Sequence, residues 1–229
     1  MKSGVWFVLI AAVAAASGFL LSRQLATPTA TVTVTAPTKA ASSPANVAAE
    51  PSAHVIPDQV PAVTLPGLNG KPCSLAEFHS PALVINFWAT WCVPCRREIP
   101  LLRKVRREQH ARGVEVVGIA VDFAGAVQKY ARELGIDYPL MMGEEDGLAA
   151  AQSFGMDLVI PFTIFADARR RIVAVKVGEL HADEAQLILG AIFKINANTL
   201  DIELAKADIA ARMREIAKVR ALQPTAPKS

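Results

Sequence analysis

The sequence has few cysteines. Of its 229 residues only three are cysteine: Cys73, Cys92 and Cys95. Small secreted domains that are held together by disulfides carry many cysteines, usually in even number, so this count excludes a disulfide framework. The core must therefore come from apolar packing. A chain of this length can bury one domain of ordinary size with extensions, or barely two domains.

The sequence also lacks an excess of charge of one sign. Lysine and arginine number 24 against 21 aspartate and glutamate residues, which gives a formal net charge of +3. Nucleic-acid-binding domains concentrate basic residues on one face or stripe, whereas here they are scattered along the chain. We therefore expect no nucleic-acid partner.

Long apolar runs are rare as well, and the one that stands out is N-terminal. Residues 5–21 are apolar or small, with Lys2 before them and Arg23 after them. A membrane-spanning helix needs roughly 17 to 25 such residues, so the run fits either an uncleaved anchor or a cleaved signal peptide. Its continued apolar length favours the anchor, and both interpretations export the rest of the chain. We assign residues 1–25 to this segment.

The next stretch, residues 26–57, is rich in Thr, Ala, Pro, Ser and Val and almost free of charge. Its prolines remove backbone donors and bias their neighbours toward extended conformations, as in a spacer. We predict a folded domain over residues 58–197. A C-terminal amphipathic helix and tail follow over residues 198–229, with Asn198 or Thr199 as the predicted cap of the helix.

Within the folded domain, patterns typical of strands and helices alternate. A β-hairpin is predicted at 61–75, strands at 82–88, 114–121, 137–142, 162–166 and 172–177, and helices at 96–112, 124–134, 146–154 and 182–195. Pro139 places its strand near a sheet edge or at a strand start. The alternation requires a central sheet with parallel pairs and helices on both faces, which makes the fold α/β.

The chemistry is concentrated where strand 82–88 meets the next helix. Cys92 and Cys95 stand two residues apart there, with Cys92 in the first turn of the helix. Unpaired N–H groups and the positive end of the helix dipole favour a thiolate at that position. A thiolate is the nucleophile of disulfide exchange, and a second cysteine one turn later can close on the first. The pattern predicts a redox dithiol.

The surrounding stretch runs Phe87-Trp88-Ala89-Thr90-Trp91-Cys92-Val93-Pro94-Cys95-Arg96-Arg97-Glu98-Ile99-Pro100. It closely resembles the active-site signature of the TlpA/ResA-like family of membrane-anchored, thioredoxin-fold thiol-disulfide oxidoreductases. The resemblance covers residues 60–193. It implies a thioredoxin-like fold with a central mixed sheet flanked by helices, an N-terminal β-hairpin, and a central βα insertion at 122–142. The C-terminal helix is an addition to this pattern.

The resemblance also implies roles for individual residues. Cys92 would be the exposed attacking thiolate and Cys95 the more buried thiol that resolves the mixed disulfide. Pro161 would be the cis-proline that faces the dithiol. Glu98 would tune the pair or relay its protons. The alternative for Glu98 is a solvated helix carboxylate paired with an arginine such as Arg103 or Arg106.

Further residues are expected to form the walls of the site. Four of them would contact substrate: Trp91, Val93, Pro94 and Ile160. Trp88 is expected to be buried. Asn86 stands where thioredoxins proper have a buried aspartate. An asparagine at this position is usual in the TlpA-like group. Neither a cofactor nor a metal is expected.

The predicted function is therefore an extracytoplasmic thiol-disulfide oxidoreductase, anchored in the inner (cytoplasmic) membrane by a single span with its catalytic domain in the periplasm. The resemblance implies a dedicated reductant of protein disulfides, for example in cytochrome c maturation or copper-site assembly, which a membrane thiol-reductant transporter re-reduces. The alternative is a copper chaperone of the Sco type using the cysteines and His181. Those proteins have a CxxxC motif, however, and His181 starts a predicted helix, where a solvated side chain is expected.

Three features stay open between two interpretations. Cys73 fits a buried small hydrophobe or a third redox or intermolecular thiol. The basic turn at 167–171 fits a solvated loop better than a partner surface. The apolar stripe of the last helix fits packing on its own domain or docking to a partner.

Overall fold

The structure is a computed structural model that describes residues 55–157 and 159–222. The predicted anchor and nearly all of the predicted spacer lie outside the described residues, as does the tail after Leu222. None of the helices within the described ranges is both long and apolar enough to cross a membrane.

Strands and helices alternate as predicted. The strands are β1 (Thr64–Pro66), β2 (Pro72–Ser74), β3 (Ala82–Trp88), β4 (Val114–Ala120), β5 (Leu140–Met142), β6 (Phe162–Ala166) and β7 (Ile172–Val177). The α-helices are α1 (Val93–Gln109), α2 (Ala124–Leu134), α3 (Glu145–Ser153), α4 (Ala182–Asn196) and α5 (Ile202–Leu222). Short 3₁₀ turns cover Leu75–Glu77 and His110–Arg112.

Five strands form one mixed sheet in the order β5-β4-β3-β6-β7. β3 and β4 pair in parallel, as do β4 and β5, whereas β6 is antiparallel to both β3 and β7. β1 and β2 form a separate antiparallel hairpin. The predicted α/β fold with a central mixed sheet is confirmed. β5 lies at the sheet edge, as Pro139 indicated.

The central strand β3 separates two apolar cores. Ala82, Val84 and Trp88 belong to a core that includes buried residues of α1, α4 and α5. Leu83, Ile85 and Phe87 belong to the other core, which the hairpin and α3 cover. Because side chains alternate along a strand, Asn86 lies on the same face as Trp88, beneath α1.

Helix α1 begins at Val93, three residues before the predicted start. Cys92 takes extended backbone angles as the N-cap, and Pro94 is tolerated in the first turn because the N–H it lacks would have no helical partner there. The helix is followed by the 3₁₀ turn and then by Gly113, whose φ of +80° explains the predicted stop. The hairpin strands are also shorter than predicted, with three residues each.

The basic turn between β6 and β7 is not simply solvated, so that expectation is wrong for two of its three arginines. Arg171 forms an ion pair with the buried carboxylate of Asp167. Arg170 Nη1 donates to the carbonyl oxygens of Leu75 and Phe78, 3.1 and 3.3 Å away. The turn is therefore bound to the segment that follows the hairpin.

The last helix, α5, packs on its own domain. Ala205 and Ile209 are buried against the core that contains α4. Asp201 caps it by accepting from the N–H groups of Glu203 and Leu204, so the predicted cap at Asn198 or Thr199 is wrong. Toward the C-terminus the predicted stripe emerges from the core, since Val219 is half exposed.

Candidate active site

The reactive cysteines lie where the loop after β3 enters α1. They form a disulfide, with their Cα atoms 5.3 Å apart. Cys92 Sγ accepts a hydrogen bond from the backbone N–H of Cys95 at 3.3 Å. Cys95 is fully buried, whereas Cys92 keeps 5% of its surface exposed. The order of exposure is as expected, although Cys92 is less open than an exposed thiolate would suggest.

Asp122 holds the loop that leads to Cys92. Its Oδ2 accepts from the N–H and the hydroxyl of Thr90 at 2.9 and 2.6 Å, and its Oδ1 accepts from the N–H of Phe123 at 2.8 Å. The sequence interpretation missed this residue. A signal was present, since Asp122 follows the β4 strand, and parallel strands bring their carboxyl ends to the same edge of the sheet.

Glu98 lies one turn past Cys95 and is 1% exposed. Its Oε1 accepts from Asn86 Nδ2, and its Oε2 accepts from the N–H of Leu180, both at 2.7 Å. Burial raises the pKa of the Glu98 carboxyl from its ordinary value of 4.5 to about 7, and the two hydrogen bonds oppose that rise. A buried group with this pKa can take up or release a proton near neutral pH.

The solvated alternative for Glu98 is wrong, because neither arginine reaches it. Arg106 pairs with Glu115 and donates to the carbonyl of Asp137. Arg103 donates to the carbonyl of Leu134 at 2.9 Å. The two arginines instead bind α1 to β4, to the last residue of α2 and to the chain between α2 and β5.

Asn86 connects Glu98 to the antiparallel side of the sheet. Besides the bond to Glu98, its Nδ2 donates to Thr163 Oγ1 at 3.1 Å, and both residues are fully buried. Thr163 pairs with Asn86 in the β3–β6 register. The amide therefore fixes the carboxylate by donating to it, which a carboxylate at position 86 could not do without a proton.

The Ile160–Pro161 peptide bond is cis, as the resemblance implied. Phe162 pairs with Phe87 near the end of β3, so Pro161 lies at the same end of the sheet as the loop that carries Cys92. Ile160 packs against the core to which both cysteines belong. The Pro161 carbonyl accepts from the N–H of Gly178 at 2.8 Å.

Apolar side chains are exposed around the dithiol. Trp91 is 62% exposed, Val93 57% and Phe123 66%, while Pro94 is half-buried. Trp91 and Phe123 line a shallow groove of about 250 Å³ together with Leu148. Trp88, in contrast, is fully buried, as expected. Phe123, which directly follows Asp122, was not among the predicted contact residues.

The segment between β7 and α4, residues 178–181, is the second element that the sequence interpretation missed; we call it the connector. It supplies the Leu180 N–H to Glu98. Glu179 in the same segment accepts from Arg97 Nε of α1 at 2.7 Å. Backbone donors carry no side-chain pattern, so no motif could have indicated Leu180.

The remaining candidate residues are His181, at the start of α4, and Cys73, in β2. The N–H of His181 donates to Glu184 Oε2 at 2.9 Å, so this histidine occupies the N-cap position of α4. Within residues 55–157 and 159–222, no three His, Cys, Asp or Glu side chains are grouped so that they could hold a metal ion. Cys73 is half-buried in β2 opposite Leu65, and burial raises the pKa of its thiol.

Comparisons with known proteins agree with this geometry. Residues 57–188 match the Redoxin family. The thiol-disulfide oxidoreductase ResA of Geobacillus thermodenitrificans is 26% identical over 149 residues, covering 65% of this chain and 84% of the relative. ResA of Halalkalibacterium halodurans is 30% identical over 115 residues, covering 50% of this chain and 64% of that relative.

Solved structures give the same result. A DsbF homologue of Corynebacterium diphtheriae is 30% identical with a TM-score of 0.52, covering 58% of this chain and 85% of that one. A thiol:disulfide interchange protein, DsbE, of Chlorobium tepidum is 24% identical with a TM-score of 0.54, covering 59% and 96%, and supports the fold alone. Since the Redoxin match spans more than half of the sequence, the chain belongs to the Redoxin family and is a thiol-disulfide oxidoreductase with Cys92 and Cys95 as its redox pair.

Proposed function

We propose that this oxidoreductase is a dedicated reductant of protein disulfides that works outside the cytoplasm. Residues 1–25 would tether it to the inner membrane, and residues 26–57 would hold the catalytic domain, residues 58–197, in the periplasm. The apolar run and the Pro-rich composition of these two segments support the arrangement. A membrane thiol-reductant transporter would return electrons to the oxidised pair.

The reaction is two thiol-disulfide exchanges. The Cys92 thiolate attacks one sulfur of the substrate disulfide, forms a mixed disulfide and releases the other substrate sulfur as a thiolate. The Cys95 thiol then loses its proton and attacks Cys92 Sγ, which releases the second substrate thiolate. The substrate gains two electrons and, once its thiolates are protonated, two protons. The protein ends as the Cys92–Cys95 disulfide.

The observation that carries this proposal is the buried carboxyl of Glu98 one turn from the buried sulfur of Cys95. Cys95 has no access to solvent, so its proton needs an acceptor inside the protein. Glu98 has a pKa raised by burial to about 7, which suits it to accept that proton at neutral pH and to return it later.

The same carboxyl supports the direction of electron flow. An ionised carboxylate near a dithiol disfavours the thiolate form and so disfavours the reduced state. Strong oxidases achieve the opposite, since their reduced form is stabilised. The position of Glu98 therefore favours a protein that gives electrons away.

Substrate would be held at the exposed surface beside Cys92. Trp91 and Val93 offer apolar contact area, and the groove between Trp91 and Phe123 has room for an apolar side chain. The cis Ile160–Pro161 bond, which lies at the same end of the sheet, would supply a second wall. An extended protein segment containing a disulfide fits this surface.

Insulin reduction by the reduced protein tests the mechanism. Cys92→Ser should abolish turnover, and Cys95→Ser should accumulate a mixed disulfide that a reductant releases. Cys73→Ser is the matched control, since it removes a cysteine outside the pair and should leave turnover unchanged. An active Cys92→Ser protein would overturn the mechanism.

Equilibration against thiol buffers tests the direction. A reduction potential near that of thioredoxin, about −270 mV, would support a reductant, and one near −120 mV would reverse the proposal. A reporter that is active only outside the cytoplasm, fused after residue 57, should be active. An inactive fusion of normal abundance would contradict the proposed location.

A further inference from the structure

The connector, residues 178–181, is bound to the active site at two points. The N–H of Gly178 donates to the carbonyl of Pro161 at 2.8 Å, and the N–H of Leu180 donates to Glu98 Oε2 at 2.7 Å. Gly178 has a φ of +82°, a left-handed conformation in which the chain leaves β7. The connector therefore has a direct contact with the acid of the redox site.

The far end of the connector is bound to Glu184, which is 2% exposed. Its Oε2 accepts from the N–H of His181 at 2.9 Å, next to Leu180. Its Oε1 accepts from Arg220 Nη1 at 2.8 Å and lies 3.4 Å from Lys176 Nζ. A buried carboxylate needs such cationic partners, because an unpaired charge in the interior is costly.

Arg220 is the outermost member of this chain of contacts. It lies in the last turn of α5, on the C-terminal addition to the family pattern. Its Nη2 also donates to both carboxylate oxygens of Asp183, at 3.0 and 3.1 Å. The guanidinium therefore binds the start of α4 through two nitrogen atoms. This geometry fixes the direction of the contact as well as its distance.

We propose that Arg220 is a positioning residue for disulfide exchange: by holding Glu184 against the connector, it keeps the Leu180 N–H on Glu98. The C-terminal helix is then part of the apparatus that sets the acid, and not only a cover for the core. This inference rests on the proposed role of Glu98 as the proton acceptor.

The sign of the effect follows from the hydrogen bond. The Leu180 N–H lowers the pKa of Glu98, so a loosened connector should raise that pKa further. Other groups also act on the carboxyl: Asn86 on β3 donates to it, Lys176 on β7 lowers its pKa and Glu179 on the connector raises it. Tyr138 before β5 is within electrostatic reach, and Cys95 lies one turn earlier on α1.

The first measurement is hydrogen exchange of the Leu180 amide in the full oxidised chain. Arg220→Ala should speed this exchange by about 10-fold, since local opening no longer has to break the Arg220 contacts. Arg212→Ala is the matched control, because Arg212 lies on the same helix and forms an exposed ion pair with Asp208. Equal protection of Leu180 in all three proteins would overturn the positioning step.

The second measurement is the titration of the Glu98 carboxyl by NMR in the same proteins. Its midpoint should rise by roughly half a pH unit in Arg220→Ala, a part of the one to two units that complete loss of a charged hydrogen bond would give. Arg220→Lys, which keeps one cationic contact, should restore most of the difference. An unchanged midpoint in a folded Arg220→Ala protein would refute the inference.

The pH profile of insulin reduction separates this inference from the proposed function. If Glu98 accepts the proton, the rate of insulin reduction should change with pH around the pKa of Glu98, near 7, and we call this part of the profile the limb. Glu98→Gln should remove the limb, and Arg220→Ala should move it to higher pH. A limb that disappears in Glu98→Gln but does not move in Arg220→Ala refutes the role of Arg220 alone. A limb that survives in Glu98→Gln refutes the acid itself, and the inference fails with it.

Discussion

Replacing Glu98 by glutamine removes a buried carboxyl whose folded pKa is raised from 4.5 to about 7. A raised folded pKa means that the folded state prefers the neutral acid. The associated stability is fully present below pH 4.5 and is lost as the pH rises through 7. The difference between the two pKa values corresponds to about 3 kcal/mol, at about 1.4 kcal/mol per pH unit.

The wild-type protein should therefore lose about 3 kcal/mol of unfolding free energy between pH 4 and pH 8 that the Glu98→Gln protein does not lose. Both proteins can be unfolded in urea at each pH with the disulfide intact, and the two free energies subtracted. Any constant penalty from the glutamine amide beside the donors Asn86 and Leu180 cancels when the differences at the two pH values are compared.

The control is Glu108→Gln on the same helix, where an exposed carboxylate lies 3.9 Å from Lys104 Nζ. Its difference from wild type gives the baseline for the comparison. If the Glu98→Gln difference varies with pH no more than this baseline does, the Glu98 carboxyl titrates normally. Glu98 would then lack the raised pKa that suits it to accept the Cys95 proton.

Three further substitutions test the hydrogen bonds and the packing around the site. Asp122→Ala should cost about 1–3 kcal/mol of unfolding free energy and slow insulin reduction, because the Thr90 donors lose their acceptor. An unchanged unfolding free energy and an unchanged rate would contradict the role given to Asp122. Gly118→Ala should cost about 1–3 kcal/mol in urea unfolding, because a Cβ there would lie 2.5 Å from Leu140 Cδ2. Gly125→Ala meets open space in α2 and should stabilise by up to about 1 kcal/mol, so equal effects of the two glycine substitutions would refute the packing argument.

The elements that the sequence predicted best are those whose pattern is local. β3, β6, β7 and α2 have the predicted bounds, since each is an apolar or periodic run that ends at a turn residue. The start of α1 was missed because Pro94 looks like a helix breaker but is harmless in a first turn. The cap of α5 was missed because several polar residues precede it and only the fold selects Asp201.

The residues of the site likewise divide into those that a local pattern indicates and those that only the fold brings together. The spacing of the CxxC motif indicated Cys92 and Cys95, and the family resemblance implied the role of Glu98 one turn further along the same helix. Asp122 and Leu180 come to the site from β4 and from the connector, and only the parallel pairing of β3 with β4 and the return of the chain after β7 bring them there. For Asp122 the sequence signal is its position directly after a predicted strand, whereas the Leu180 N–H leaves no side-chain pattern to detect.

The neutral side chain at position 86 follows from the same geometry. Asn86 Nδ2 lies 2.7 Å from Glu98 Oε1, and both residues are buried. An aspartate there would set two carboxyls within hydrogen-bond distance, and one would have to stay protonated, because two buried like charges this close cannot both ionise. The helix already carries the acid, so the strand has to supply a donor. The amide on β3 and the carboxyl one turn past Cys95 therefore depend on each other as donor and acceptor. The resemblance to the TlpA/ResA-like family at these two positions has a single electrostatic cause.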